Sequence, residues 1–209
     1  MRVAVLGTGM VGRAWAERLA ELGHDVVMGT RDPTRGDELG LSVPLQEHAG
    51  AVVGADLVIN ALNGKASLAV LGPLADELAG VVVMDISNPL DFSAGFPPTL
   101  FVKDTDSLGE QIQRTLSRSR VVKTMNTLTA GLQVHPERNR GTVFVAGDEA
   151  QAKAAVVALL TEVGHRDIID LGDIQGSRGV ELFLPLWLRL MGVLGTAEFQ
   201  IEVRRPAGG

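Results

Sequence analysis

The chain has 209 residues, 45% hydrophobic and 21% charged, with a net charge of −6 and no cysteine. That length suits one domain, or one with a small appendage, and lets about 70% of the unfolded surface be buried. The acidic balance argues against nucleic acid or an anionic membrane as main partner, and the missing cysteine excludes disulfides, thiolate metal sites and cysteine nucleophiles.

Val3 to Leu6 reads as a buried strand that empties into Gly7-Thr8-Gly9-Met10-Val11-Gly12. Ala14, Trp15, Leu19 and Leu22 then recur at helical spacing, which predicts a helix from Met10 to Leu22, stopped by Gly23. Strand, G-x-G-x-x-G and helix in that order form the context in which the dinucleotide fingerprint carries meaning. Gly7 permits the tight turn, Gly9 lets a pyrophosphate approach the backbone, and Gly12 lets the helix pack on the strand. The free N–H groups of the first turn then face the phosphates. No basic-then-apolar leader precedes Val3, so a cytoplasmic protein is expected.

Val26 to Met28 reads as a second strand, ending in Gly29-Thr30-Arg31-Asp32. NAD sites usually place an acid at this strand end to accept from the ribose 2′-hydroxyl. Here small residues stand in that place and an arginine follows, which favours a 2′-phosphate and hence NADP(H). Thr30 adds a hydroxyl and Arg35 a second cation. The alternative keeps Arg31 as a solvated turn residue and Asp32 as the ribose acid.

Strands at Leu41–Pro44, Asp56–Leu62 and Val81–Ile86 are expected next, with helices at Leu45–Gly54 and Ser67–Leu78, the latter kinked or broken at Pro73. Ligands of open α/β sheets lie outside the carboxyl ends of the strands. Thr8–Val11, Thr30–Arg31, Leu62–Gly64 (with Asn63) and Ser87–Pro89 (with Asn88) are therefore expected to line one crevice. For the last two, a purely structural turn is the alternative.

An irregular stretch, Ala94 to Asp106, precedes a capping-box helix from Ser107 with Glu110. Val121–Met125 is a further strand, ending in Asn126-Thr127. The stretch Gly131 to Gly141 reads as a connection to a strand at Thr142–Ala146, a helix at Ala150–Val163 capped by Asp148, and a strand at Arg166–Leu171. Val180 to Leu194 is almost wholly apolar but too short to span a membrane. A helix apolar all round is buried, here over the crevice and, in one reading, against a second subunit. Phe199–Val203 reads as a short edge strand.

These readings amount to a Rossmann-type, doubly wound, mostly parallel α/β sheet with a small C-terminal helical and strand appendage. Residues 1–130 form the dinucleotide-binding domain. Residues 131–209 form a smaller part packed on it, lining the substrate crevice and a dimer interface.

Other chemistry is sparse. His24, His48, His135 and His165 fall in or beside loops with no i,i+4 partner, so no metal site is expected. Asp104 and Asp106 precede a helix, where capping explains them. Arg114, Arg118, Arg120 and Lys123 read as a solvated basic face, with an anion site as the alternative.

Taken together, Val3–Gly12, the Gly29–Asp32 turn, Val121–Thr127 and the Gly176–Leu182 segment resemble the coenzyme F420-dependent NADP oxidoreductase family. The resemblance implies a Rossmann domain with a deazaflavin, F420, lying against the nicotinamide. It implies that Thr8, Gly9, Met10 and Val11 hold the pyrophosphate, that Thr30, Arg31 and Arg35 take the 2′-phosphate, and that Asn126 and Thr127 lie near the nicotinamide. Leu62, Asn63 and Asn88 complete the expected cofactor-binding set with Gly7 and Gly12, and no catalytic residue is assigned. The expected reaction is hydride transfer between NADPH and a deazaflavin-like acceptor, a small molecule, in a homodimer without nucleic-acid or membrane partners. Two other readings are an NADPH-dependent reductase of a carbonyl, imine or flavin, and a non-enzymatic NADP(H) sensor.

Overall fold

A computed structural model describes residues 1–36 and 40–206. Its frame is an eight-stranded sheet. Apolar runs form the strands β1 (Arg2–Leu6), β2 (Asp25–Thr30), β3 (Leu45–Glu47), β4 (Leu57–Asn60) and β5 (Val82–Asp85). A two-stranded ladder of β6 (Leu90–Asp91) and β7 (Thr99–Leu100) lies apart. β8 (Arg120–Thr124), β9 (Thr142–Ala146) and β10 (Asp167–Asp170) complete the large sheet. Its order is β10-β9-β8-β5-β4-β1-β2-β3. Every pairing is parallel except β8 with β9. The order reverses between β1 and β4, the switch point at which such sheets open a crevice.

Eight helices among the described residues cover the sheet. They are α1 (Met10–Glu21), α2 (His48–Val52), α3 (Gly64–Leu71), α4 (Leu108–Thr115), α5 (Ala130–Val134), α6 (Ala150–Val163), α7 (Ser177–Leu182) and α8 (Leu184–Leu194). Two apolar layers result. One gathers Val3, Val5, Trp15, Leu19 and Ile59 with Val143 and Leu160, and the other gathers Leu6, Val58, Leu71, Val83 and Ile112. Both faces of the central strands are buried, so those strands are apolar throughout rather than alternating.

The structure moves several expected boundaries. The third strand is Leu45–Glu47, not Leu41–Pro44; Pro44 has no N–H to give a ladder, and only its carbonyl pairs, accepting from the Met28 N–H at 2.9 Å. α3 begins at Gly64 rather than Ser67, because Asn63 caps it by accepting from the Lys65 N–H at 3.0 Å. It ends at Leu71, and Pro73 sits in a separate 3-10 turn. Asp148 does not cap α6; its carboxylate accepts from the Ile174 N–H at 2.9 Å. Within 131–141, part of α5 replaces the expected connection. α5 is docked by the fully buried Trp15, whose Nε1 donates to Gln133 Oε1 at 2.7 Å. The segment 199–203 forms no strand, although the Thr142 N–H reaches the Ile201 carbonyl.

The largest departure is at the carboxyl end. The apolar run divides at Phe183 into α7 and α8, and α8 is not buried all round. Leu184 and Leu188 face the protein, while Leu186 and Val193 are 53% and 76% exposed.

Candidate functional site

The glycine corner is set by sterics. Gly7 turns the chain with φ +112°, where a Cβ would lie 2.6 Å from the Ala61 carbonyl oxygen. A Cβ on Gly12 would lie 2.0 Å from the Gly7 carbonyl oxygen. Gly9 is different: nothing lies within 4 Å of the position a Cβ would take. The fold requires the first two glycines, and the space over Gly9 stays open. Gly9 also begins α1 without a side-chain cap, and no acidic residue follows in the first turn. The N–H groups of that turn have no intrahelical partner and carry the positive end of the helix dipole. Such a cradle, which a Cβ at Gly9 would fill, fits a pyrophosphate. Thr8 is half-buried beside it, Val11 half-buried, and the Met10 side chain 74% exposed.

The end of β2 has no room for an acid. A Cβ at Gly29 would meet Leu6 Cδ2 at 2.5 Å. Thr30 Oγ1 accepts weakly from the Asp32 N–H at 3.4 Å. Asp32 accepts from the backbone N–H and hydroxyl of Thr34, capping a 3-10 turn at Pro33–Arg35. Arg31 is exposed and makes no side-chain hydrogen bond or ion pair among the described residues. Burial and the Arg31 charge together hold the His48 pKa below its ordinary value. The Arg35 side chain lies outside the described residues.

Between these loops the structure brings Val11, Leu62, Asn63 and Asn88 to one crevice, lined also by Leu90 and Phe92. None of the side chains lining it is ionisable. Asn126 joins Asn88 from β8: its Nδ2 donates to Asn88 Oδ1 at 3.2 Å, and Asn88 Nδ2 donates to the Asn126 carbonyl at 3.1 Å. Thr127 stands apart, in a mainly apolar pocket with Phe144, Phe183 and Trp187.

Beneath the crevice lies a polar cluster that sequence reasoning missed. Lys123, expected on a solvated basic face, is only 1% exposed. Its Nζ donates to Asp85 Oδ2 at 2.9 Å and to the Ser87 carbonyl at 2.6 Å, and pairs with Glu181 Oε1 at 2.9 Å. Burial opposes the ammonium charge, but Asp85 and Glu181 outweigh it and hold the pKa above that of an ordinary lysine. Glu181 also accepts from the N–H groups of Leu108 and Gly109 at the start of α4. Next to it, Arg178 grips Glu110 through two bonds of 2.8 and 2.6 Å, keeping that carboxyl below the usual range. The other members of the expected basic face scatter: Arg114 pairs with Asp106, and Arg118 with Asp76. A signal was present, since an acid within Val81–Ile86 and a lysine within Val121–Met125 must find partners if those strands are buried.

Comparison with known proteins bears on this geometry. A family model described as "NADP oxidoreductase coenzyme F420-dependent" matches residues 2–89. A crystal structure from Arthrobacter sp. FB24, described as an F420-dependent NADP-reductase, is 49% identical. It superposes with a TM-score of 0.94 over 97% of this chain and 99% of that one. This chain belongs to the F420-dependent NADP oxidoreductase family. It is an NADP-dependent oxidoreductase. The F420-dependent NADP reductase of Methanocaldococcus jannaschii is 29% identical over 91% of this chain and 92% of its own length. Metalloreductase STEAP3 of Rattus norvegicus is also 29% identical, over 89% of this chain, but the chain spans only 38% of that protein. No helix among the described residues is long and apolar enough to cross a membrane.

Proposed function

We propose that the enzyme moves a hydride between C4 of the nicotinamide of NADP(H) and the facing ring carbon of the deazaflavin F420. The observation that carries this reading is the crevice lining, which offers no ionisable side chain. A reductase of a carbonyl or imine needs a proton donor at the reacting heteroatom. Hydride transfer between two rings needs chiefly orientation, worth several kcal/mol, because the negative charge left on the reduced deazaflavin is delocalised and its ring nitrogen takes the balancing proton from solvent. The relatives named as F420-dependent reductases support the same choice of acceptor.

In this reading Gly7 and Gly12 shape the corner, and Thr8, Gly9, Met10 and Val11 hold the pyrophosphate. Thr30, Arg31 and Arg35 take the 2′-phosphate; the commitment of Asp32 to its turn supports this over a ribose role. Leu62, Asn63, Asn88 and Asn126 meet the nicotinamide half, with Thr127 behind them. The part beyond residue 130 supports this site from behind, through the Val180 carbonyl on Asn126 and Glu181 on Lys123. The exposed apolar side of α8, with Leu186 and Val193, pairs two copies into a homodimer.

The test is direct. NADPH and oxidised F420 are mixed with the protein while the visible absorbance of the deazaflavin is followed. Bleaching at a catalytic rate is expected. NADPH consumption only with another acceptor overturns the choice of F420, and tight binding without turnover overturns the enzymatic reading. The likeness to a metalloreductase over 89% of this chain favours a second reading, in which the same coenzyme half serves another acceptor.

A further inference from the structure

We propose that Lys123 is a positioning residue for hydride transfer, holding Ser87 from below and so fixing the Asn88–Asn126 pair against the nicotinamide. The proposal rests on the coenzyme reading above.

A buried ammonium with two carboxylates is not a cheap way to fill a core. Well-packed apolar side chains in the same volume are often as stable or more so. What the charges supply here is geometry. Lys123 stands opposite Asp85 in the register of β8 and β5, and their side chains converge on one residue. Lys123 Nζ takes the Ser87 carbonyl at 2.6 Å, while Asp85 Oδ1 accepts from the Ser87 N–H at 3.1 Å and its hydroxyl at 2.7 Å. Asn60 Nδ2 donates to the same carboxylate oxygen at 2.8 Å. All three polar groups of Ser87 are thereby tied inside the protein.

Each anchored segment leads on to the asparagine pair. Asn88 follows Ser87, and its carbonyl sits so close to α3 that a Cβ on Gly64 would be 1.9 Å from it. Val180 precedes Glu181, the second carboxylate on Lys123, and its carbonyl accepts from Asn126 Nδ2 at 3.0 Å. Asn126 itself follows Met125, held at φ +58°. That left-handed conformation is strained for a non-glycine residue and persists only where surrounding contacts enforce it. Three segments meeting at Lys123 thus lead, within one to three residues, to the two asparagines.

The experiment separates this from a merely structural role. Lys123→Met alone strands two buried acids, so the neutral triple variant Lys123→Met/Asp85→Asn/Glu181→Gln is compared with Ser87→Ala, which removes only a hydroxyl. Three quantities are read: affinity for 2′,5′-ADP, which lacks a nicotinamide; the fluorescence emission of bound NADPH; and turnover at saturating coenzyme. Both variants are expected to bind 2′,5′-ADP as wild type does. The emission of bound NADPH should move toward that of free NADPH, with turnover lowered at least tenfold in the triple variant and severalfold in Ser87→Ala. Unchanged emission and turnover in either folded variant overturns the proposal and leaves the coenzyme reading standing. Failure of the wild type to bind 2′,5′-ADP overturns that reading, and this proposal with it.

Discussion

Lys123 and Asp85 face each other across neighbouring parallel strands, joined at 2.9 Å with neither side chain exposed. In a sheet whose central strands are otherwise apolar, this pair marks where scaffold gives way to site. It stands at the carboxyl ends of β5 and β8, directly under the loops that border the crevice.

In the proposed reading, Arg31 is the residue on which coenzyme choice turns. Removing one charge-assisted contact costs about 1.5–3 kcal/mol, or roughly ten- to a hundredfold in affinity. Arg31→Ala is expected to weaken NADPH binding at least tenfold and to leave NADH little changed, measured by titration with each coenzyme. Equal losses for both contradict the 2′-phosphate assignment.

Gly9 and Gly12 predict opposite behaviour for the same substitution. Gly9→Ala meets no protein atom, so its melting temperature should match wild type while coenzyme affinity falls at least tenfold. Gly12→Ala forces a Cβ onto the Gly7 carbonyl, and overpacking of this kind costs about 1–3 kcal/mol. Thermal unfolding with and without NADP distinguishes the two variants. A stable Gly9→Ala that binds normally would show that the open space is not the phosphate site.

Asp106 gives a pH dependence. Its bond to Arg114, outweighing the cost of partial burial and helped by Gln111, lowers its pKa from 3.8 to about 2. A lowered carboxyl pKa contributes stability that is fully present above pH about 4 and disappears as pH falls through about 2. Asp106→Asn should therefore lower stability at neutral pH and flatten the loss between those limits, so that variant and wild type converge near pH 2. Acid titration followed by circular dichroism reads the difference.

The outer side of α8 predicts assembly. Leu186→Glu with Val193→Glu should convert a dimer to a monomer in sedimentation without lowering the melting temperature of the isolated chain, since both side chains are largely exposed. A wild-type monomer at micromolar concentration would contradict the pairing.

Much of this molecule can be read from residue order. β1, the glycine corner and α1 follow from local chemistry alone, because Gly7 and Gly12 meet atoms within a few residues or on the adjoining strand. α6 falls at Ala150–Val163 as its periodicity and Gly164 require. What could not be read depends on distant partners. α5 has five residues and owes its place to Trp15 and Gln133, which are 118 positions apart. Lys123 looked like a surface cation beside Arg120 because its carboxylates lie 38 and 58 residues away. α8 looked like a core helix because composition reports how apolar a face is, not what covers it.

The double anchoring of α7, through Glu181 to the strands and α4 and through Arg178 to Glu110, has a kinetic consequence. A segment tied down at both Arg178 and Glu181 cannot swing as a lid over the crevice. Any change in the shape of the crevice mouth during turnover must then come from its own lining loops, which carry Asn63, Leu90 and Phe92, and not from α7.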